Sequence, residues 1–122
     1  MASTIVALVE DLFFLAKIRE TAKTLGIAVV TGDLRRGPAA IAGAQPQAII
    51  LDLNSRQLPA VDWIQALKSD PATRAIRIVG FVSHVQEELI SAARAAGCDS
   101  VVARSAFTQQ LPNLLRSLVG AS

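Results

Sequence analysis

Asp52 ends an unbroken apolar run, Ala48-Ile49-Ile50-Leu51. A carboxylate placed there stands at the end of a buried strand, where open α/β sheets carry their sites. Two more acids, Glu10 and Asp11, close or follow a second apolar run over residues 4–9. Ser83 follows a third run over 76–82, and Arg104 a fourth over 99–103. If the strands before Glu10 and before Asn54 are neighbours, three carboxylates meet in one pocket. Like charges at such range repel and raise at least one pKa. A hard divalent cation such as Mg²⁺ relieves this, because it prefers oxygen ligands. One hydroxyl and one fixed cation then face the same pocket. The set suits a phosphoryl group: metal and Arg104 for charge, Ser83 for a hydrogen bond, Asp52 as nucleophile.

Each of these residues also has a structural reading. Asp52 could cap a turn. Asp11 could cap the first helix, with Glu10 solvated, and Arg104 could be an ordinary surface residue. Ser83-His84-Val85-Gln86 matches the capping-box pattern, so Ser83 could cap the fourth helix, with or without a ligand role. His84 reads as a loop residue, Cys98 as a small packing residue and Trp63 as the rim of the core. The joint placement of acids, hydroxyl and cation after four strands favours chemistry over any single item.

The elements that must position this set follow from hydrophobic spacing. Strands are expected at 4–9, 27–31, 48–52, 76–82 and 99–103. Residues 11–25 have helical spacing, with Phe14, Ile18 and Leu25 on one face and Gly26 as the stop. Gly32-Asp33 is a turn, and 34–44 reads as a short helix around Pro38. Further helices are expected at 60–69, at 85–96 closed by Gly97, and at 108–119 with Pro112 near its first turn. The order βαβαβαβαβα implies one domain over 1–122, an α/β doubly wound parallel sheet with helices on both faces.

The chain has 122 residues, enough for one core, and is 52% apolar but only 4% aromatic. An aliphatic core of sheet and helices fits that composition. The net charge is +2, and Arg35-Arg36 is the only adjacent basic pair. No basic stripe for direct nucleic-acid binding is present. The single cysteine, Cys98, allows no disulfide within the chain and suits a reducing compartment. The first residues lack the pattern of a signal peptide, and no stretch has the length needed to span a bilayer. A cytoplasmic protein without membrane contact is the expectation.

Over residues 4–120 the chain resembles the receiver domain of two-component response regulators, the flavodoxin-like (βα)5 fold of the chemotaxis regulator. Glu10 and Asp11 match the acidic pair that holds Mg²⁺, and Asp52 matches the phosphoacceptor. Asn54 falls where the family offers a backbone carbonyl to the metal. Ser83 matches the Thr/Ser that bonds the phosphoryl group, and Ala95-Ala96-Gly97-Cys98 resembles the segment before strand five. The resemblance implies strand order 2-1-3-4-5 and phosphotransfer from a histidine kinase or phosphotransfer protein. It implies a signalling module and not an enzyme. It also implies a downstream protein target on the face of helix four, strand five and helix five, with homodimerisation as a family habit.

Several positions depart from that pattern. Arg104 stands for the family's Lys, and a planar fork is not a neutral exchange for an ammonium. Ser105 stands for the following Pro, whose bond is usually cis. A cis bond before a non-proline costs about 3–4 kcal/mol, so a trans bond is expected. Ser55-Arg56 replaces Met-Pro, and Arg56 could reach over the pocket. Val101 replaces the switch aromatic, which removes the usual coupling to Ser83. Leu12 and Phe13 could narrow the pocket. The reading is a receiver phosphorylated on Asp52. Its alternative is a degenerate receiver that works as a phosphorylation-independent interaction module. A remote third reading rests on a weak likeness to Toprim-type metal-dependent phosphodiester enzymes, whose second acidic motif has Asp where this chain has Asn54.

Overall fold

The structure is a computed structural model that describes residues 3–32 and 34–120. Asp33 of the expected turn lies outside the described residues. Five strands form: β1 (Ser3–Leu8), β2 (Ile27–Thr31), β3 (Ala48–Asp52), β4 (Arg77–Val82) and β5 (Ser100–Ala103). They pair in parallel in the order β2-β1-β3-β4-β5. β3 lies at the centre, and its Ala48, Ile49, Ile50 and Leu51 are each 0% exposed. That is why this strand reads as continuously apolar rather than alternating.

Period-two alternation divides the strand residues between two cores. Val6, Leu8, Ile49, Leu51 and Ile78 face one side, where they meet Trp63, Ile64 and Leu67 of α2 (Ala60–Ser69) and Ala93 of α3 (Glu87–Ala96). Ile5, Ala48, Ile50, Val79 and Phe81 face the other. There they meet Phe14, Ile18 and Ala22 of α1 (Leu12–Thr24). Phe107 of α4 (Arg104–Gln109) and Leu111, Leu115 and Leu118 of α5 (Leu111–Leu118) complete that side. Trp63, 5% exposed, is a core residue and not a rim residue.

Three elements differ from the sequence expectation. The helix expected at 34–44 is two 3₁₀ turns, Leu34–Arg36 and Pro38–Ala44. Gly37 between them has φ 77°, a left-handed conformation that ends one turn before the next begins. The fourth expected helix starts at Glu87, not at 85, and its cap is Gln86, without a side-chain cap bond. Ser83 therefore does not cap it. The last expected helix is two, α4 and α5, meeting at Gln110. Pro112 cannot donate to the carbonyl of Thr108 and its ring would clash there, so one continuous helix cannot form. α4 begins as early as Arg104 because Ser105, unlike a proline, leaves the preceding residue free to be helical. No described peptide bond is cis, that between Arg104 and Ser105 included. Among the described residues no helix is long and apolar enough to cross a membrane.

Gly80 permits the close approach that seats the β3–α2 connection on β4. A Cβ added there would lie 2.8 Å from Leu53 Cγ, and Leu53 is itself buried. Gly80→Ala is expected to destabilise the fold by about 1–3 kcal/mol through overpacking. Urea unfolding should show a lowered midpoint with an unchanged slope.

Candidate functional site

β1 and β3 are neighbours, and Leu8 pairs with Leu51. The acids that follow them therefore share one edge of the sheet. Asp52 is half-buried at that edge. Its Oδ1 accepts a hydrogen bond from the Asn54 amide at 2.9 Å. Its other oxygen accepts none from the described residues. Burial pushes the Asp52 carboxyl above its ordinary value, and the negative charge of Glu10 adds to this. The Asn54 amide and the positive charge of Arg104 act in the opposite direction.

Asp11 performs two tasks. Its Oδ1 accepts from the Phe13 and Phe14 amides at 2.9 and 3.2 Å, which caps α1. Its Oδ2 accepts from Arg104 Nη2 at 2.6 Å. The hydrogen bond from Arg104 is the main cause of its lowered pKa, helped by the Phe14 amide. The Arg104 guanidinium also lies over the Phe14 ring, 4.5 Å from the centroid. Phe14 in turn packs edge-on against Phe81 and Phe107 at 4.9 and 5.5 Å. Arg104 is thus turned inward, toward Asp11 in preference to Asp52.

Glu10 leans toward the loop after β3. Its Oε1 accepts from the Ser55 hydroxyl and from the Gln57 amide. Ser55 Oγ also accepts from the Gln57 and Leu58 amides, which tightens that loop. Asn54 acts through its side chain, a role the sequence did not disclose. Its Oδ1 accepts from the Ser83 and His84 amides at 2.8 and 3.1 Å. The loop after β4 is thereby fastened to the loop after β3, and Ser83 is held at the pocket edge with its side chain exposed. An amide side chain two positions after a strand-end acid, facing a Ser-His loop, was the only available signal. Because that oxygen is engaged by amides, it offers no metal donor of the phosphodiester-enzyme kind.

Arg56 is exposed and bonds to none of these acids among the described residues. Phe13, at 91% exposed, and Leu12, at 75%, do not close the pocket. Val101 is packed against the α2–α3 core. The donor types of Glu10, Asp11 and Asp52 suit a hard cation such as Mg²⁺. In the arrangement described, however, no three His, Cys, Asp or Glu side chains among the described residues are grouped to hold a metal ion. The expected trio is divided, because Glu10 is bonded to Ser55 and Asp11 to Arg104.

Solved structures share this architecture from end to end. Chemotaxis protein CheY4 of Vibrio cholerae aligns with TM-score 0.81 at 17% identity, covering 97% of this chain and 99% of that one. The fold is that of a response-regulator receiver domain. The phosphorylated cyanobacterial phytochrome response regulator RcpA aligns with TM-score 0.75 at 21% identity, covering 97% and 91%. The Mn²⁺-bound response regulator Rcp1 aligns with TM-score 0.79 at 14% identity, covering 98% and 96%. No protein-family model and no curated protein matches the sequence. The strand order 2-1-3-4-5 and the flavodoxin-like class expected from the resemblance are both borne out.

The two aspartates should respond to pH in opposite directions. Asp52 has a raised folded-state pKa, so its favourable contribution is complete below the unfolded value and lost as pH rises through the folded one. In metal-free buffer, Asp52→Asn is expected to be more stable than wild type at pH 7, with the advantage gone below about pH 4. Asp11 has a lowered pKa, so it stabilises above the unfolded value and ceases to as pH falls through its own. Asp11→Asn is expected to be less stable at pH 7 and closer to wild type in acid. Urea midpoints at the two pH values check both. Arg104→Ala loses a part-exposed ion pair and a cation–π contact, and is expected to lower the urea midpoint only slightly in the same assay.

Proposed function

We propose that the chain is a two-component receiver module in which Asp52 accepts a phosphoryl group from the histidine of a kinase or phosphotransfer protein. The observation that carries this reading is the Asp52 carboxyl itself. It is half-buried at the end of the central strand, with one oxygen fixed by the Asn54 amide and the other without a partner among the described residues. That second oxygen is the nucleophile. It attacks phosphorus as the phosphorus–nitrogen bond of the phosphohistidine breaks, and the product is an acyl phosphate on Asp52. Arg104 contributes fixed positive charge beside the incoming oxygens. Ser83, fastened through its amide to Asn54, would donate its hydroxyl to one of them.

Mg²⁺ is the cofactor of this reading. Glu10, Asp11, Asp52 and the Asn54 carbonyl would supply its oxygen donors, once Arg104 had released Asp11. The metal would neutralise charge on the phosphoryl oxygens. That a protein of the same fold is described as phosphorylated and another as Mn²⁺-bound supports the reading. The output face is α3, β5, α4 and α5, where a downstream protein or a second copy would dock. Its exposed charges, Glu87, Glu88, Arg94 and Arg116, are of both signs.

One observation favours a second reading. The Arg104–Asp11 ion pair sets a cation of the chain's own against one of the acids expected to hold the metal. A receiver neutralised from within in this way acts as a phosphorylation-independent interaction module. Mass spectrometry after incubation with Mg²⁺ and a small phosphodonor separates the two. Wild type is expected to gain one phosphoryl group and Asp52→Asn none. A wild-type chain that gains none at millimolar donor would overturn phosphotransfer and leave the interaction module.

A further inference from the structure

By local rules α4 would not form. It has six residues, Arg104–Gln109, and a helix so short is not stable on its own in water. Its cap, Ala103, has no side-chain cap bond, and its first turn contains no acid. Its first residue is instead a cation, which the helix dipole disfavours. Two of its side chains hold it from outside. Phe107, 0% exposed, is set against the Phe14 and Phe81 rings at 5.5 and 5.9 Å. Arg104 reaches Asp11 at 2.6 Å and lies over the same Phe14 ring. Both anchors converge on the start of α1. Asp11 thus supplies, from another element, the negative charge that α4 lacks at its own N-terminus.

We propose that α4 is a latch, closed by Arg104 on Asp11 and Phe14 and opened by whatever draws the guanidinium off Asp11. The cation of the pocket is here part of the helix, because Ser105 lets α4 begin at Arg104. A shift of the guanidinium therefore acts on α4 itself, with no loop between. Opening removes the charge that offsets the unfavourable helix start and uncovers the Phe14 ring, and Phe107 is left as the anchor. α4 belongs to the face proposed for output, so its loosening alters what a partner meets there. Val101 has no ring to couple β5 to Ser83, and α4 provides a different route. The identity of the opener rests on the reading given above: it is the phosphoryl group on Asp52, whose negative charge competes with Asp11 for Arg104. A charge change at the pocket then biases an element with two arrangements.

Hydrogen exchange of the amides at 108–110, which donate within α4 and at its end, tests the latch without any phosphodonor. Asp11→Asn keeps a capping side chain on α1, since asparagine caps as well as aspartate, and removes the charge. It is expected to speed exchange at 108–110 about threefold, in keeping with a part-exposed pair. The locally opening ends of α2 and α3 should keep their wild-type rates. Arg104→Gln should match or slightly exceed Asp11→Asn, Arg104→Lys should stay near wild type, and the double variant should not exceed Arg104→Gln alone. Unchanged exchange at 108–110 in Asp11→Asn overturns the latch, as does an additive double variant. A rise limited to the slowest core amides reports lost global stability and overturns it too. Wild type is then given Mg²⁺ and excess acetyl phosphate, whose phosphorus–oxygen bond to acetate breaks as the bond to Asp52 forms. The same local rise is expected once mass spectrometry records the added phosphoryl group. A phosphorylated chain with α4 still protected overturns the latch as the route of output. A chain that gains no mass overturns phosphotransfer instead, and the variants still decide the latch.

Discussion

The Arg104 guanidinium is held from two sides, by the Asp11 carboxylate at 2.6 Å and by the Phe14 ring at 4.5 Å. Both partners belong to the start of α1, whereas Arg104 opens α4. The contact therefore closes the sheet edge from β1 across to β5. A cation in the first turn of a helix opposes the helix dipole, so Asp11 offsets an unfavourable placement as well as capping its own helix. With both side chains more than a third exposed, solvent screens the pair, and its energy is modest. Its geometric effect is larger, because it decides which of the acids are available. Asp11 is engaged, Asp52 is not, and the electrostatic character of the pocket follows from that division.

The pocket is built from three such fastenings between loops. Glu10 joins the end of β1 to Ser55 and Gln57. Asn54 joins the loop after β3 to the loop after β4. Arg104 joins the end of β5 to α1. The first two cross between strands adjacent in the sheet and the third from β5 to the end of β1, with β3 and β4 between them; the parallel register makes all three possible by bringing the strand ends to one edge. A pocket fixed in this manner loses little on closing around a ligand, since its loops are already ordered.

The sequence made the central parts legible and the connections between them obscure. β3 and α2 were expected with the bounds they have. A strand buried on both faces shows an unbroken apolar run, and α2 shows its inner face at Ile64 and Leu67. In the segment 34–44 alanine favours helix while Gly37 and Pro38 oppose it, and the left-handed glycine prevails, leaving two 3₁₀ turns. Pro112 does stand in the first turn of its helix, as the spacing implied, but that turn begins at Leu111, and the residues before it form a separate helix. α4 had already used the residues before it. The sequence identified Glu10, Asp11, Asp52, Ser83 and Arg104 as strand-end residues. It could not identify their partners, because Asp11–Arg104 spans 93 positions and Asn54–Ser83 spans 29. Contacts at such separations leave no periodic mark.

The division of labour among the acids bears on what the pocket can do. Glu10 and Asp11 have both accepted hydrogen bonds, and those to Asp11 stabilise its charged form. Asp52 is desolvated and has only the Asn54 amide as a hydrogen-bonded partner among the described residues. Of the three, it is the carboxylate whose charge is least compensated, and an uncompensated charge near a surface is the one that gains most from a new partner. A phosphoryl group brings further negative charge, so it cannot be that partner without a cation. Among the described residues the cation at the site is Arg104, and it is bound to Asp11. Under the proposed reading, transfer at Asp52 would depend on a redistribution of positive charge between two aspartates, with Arg104 moving from one toward the other.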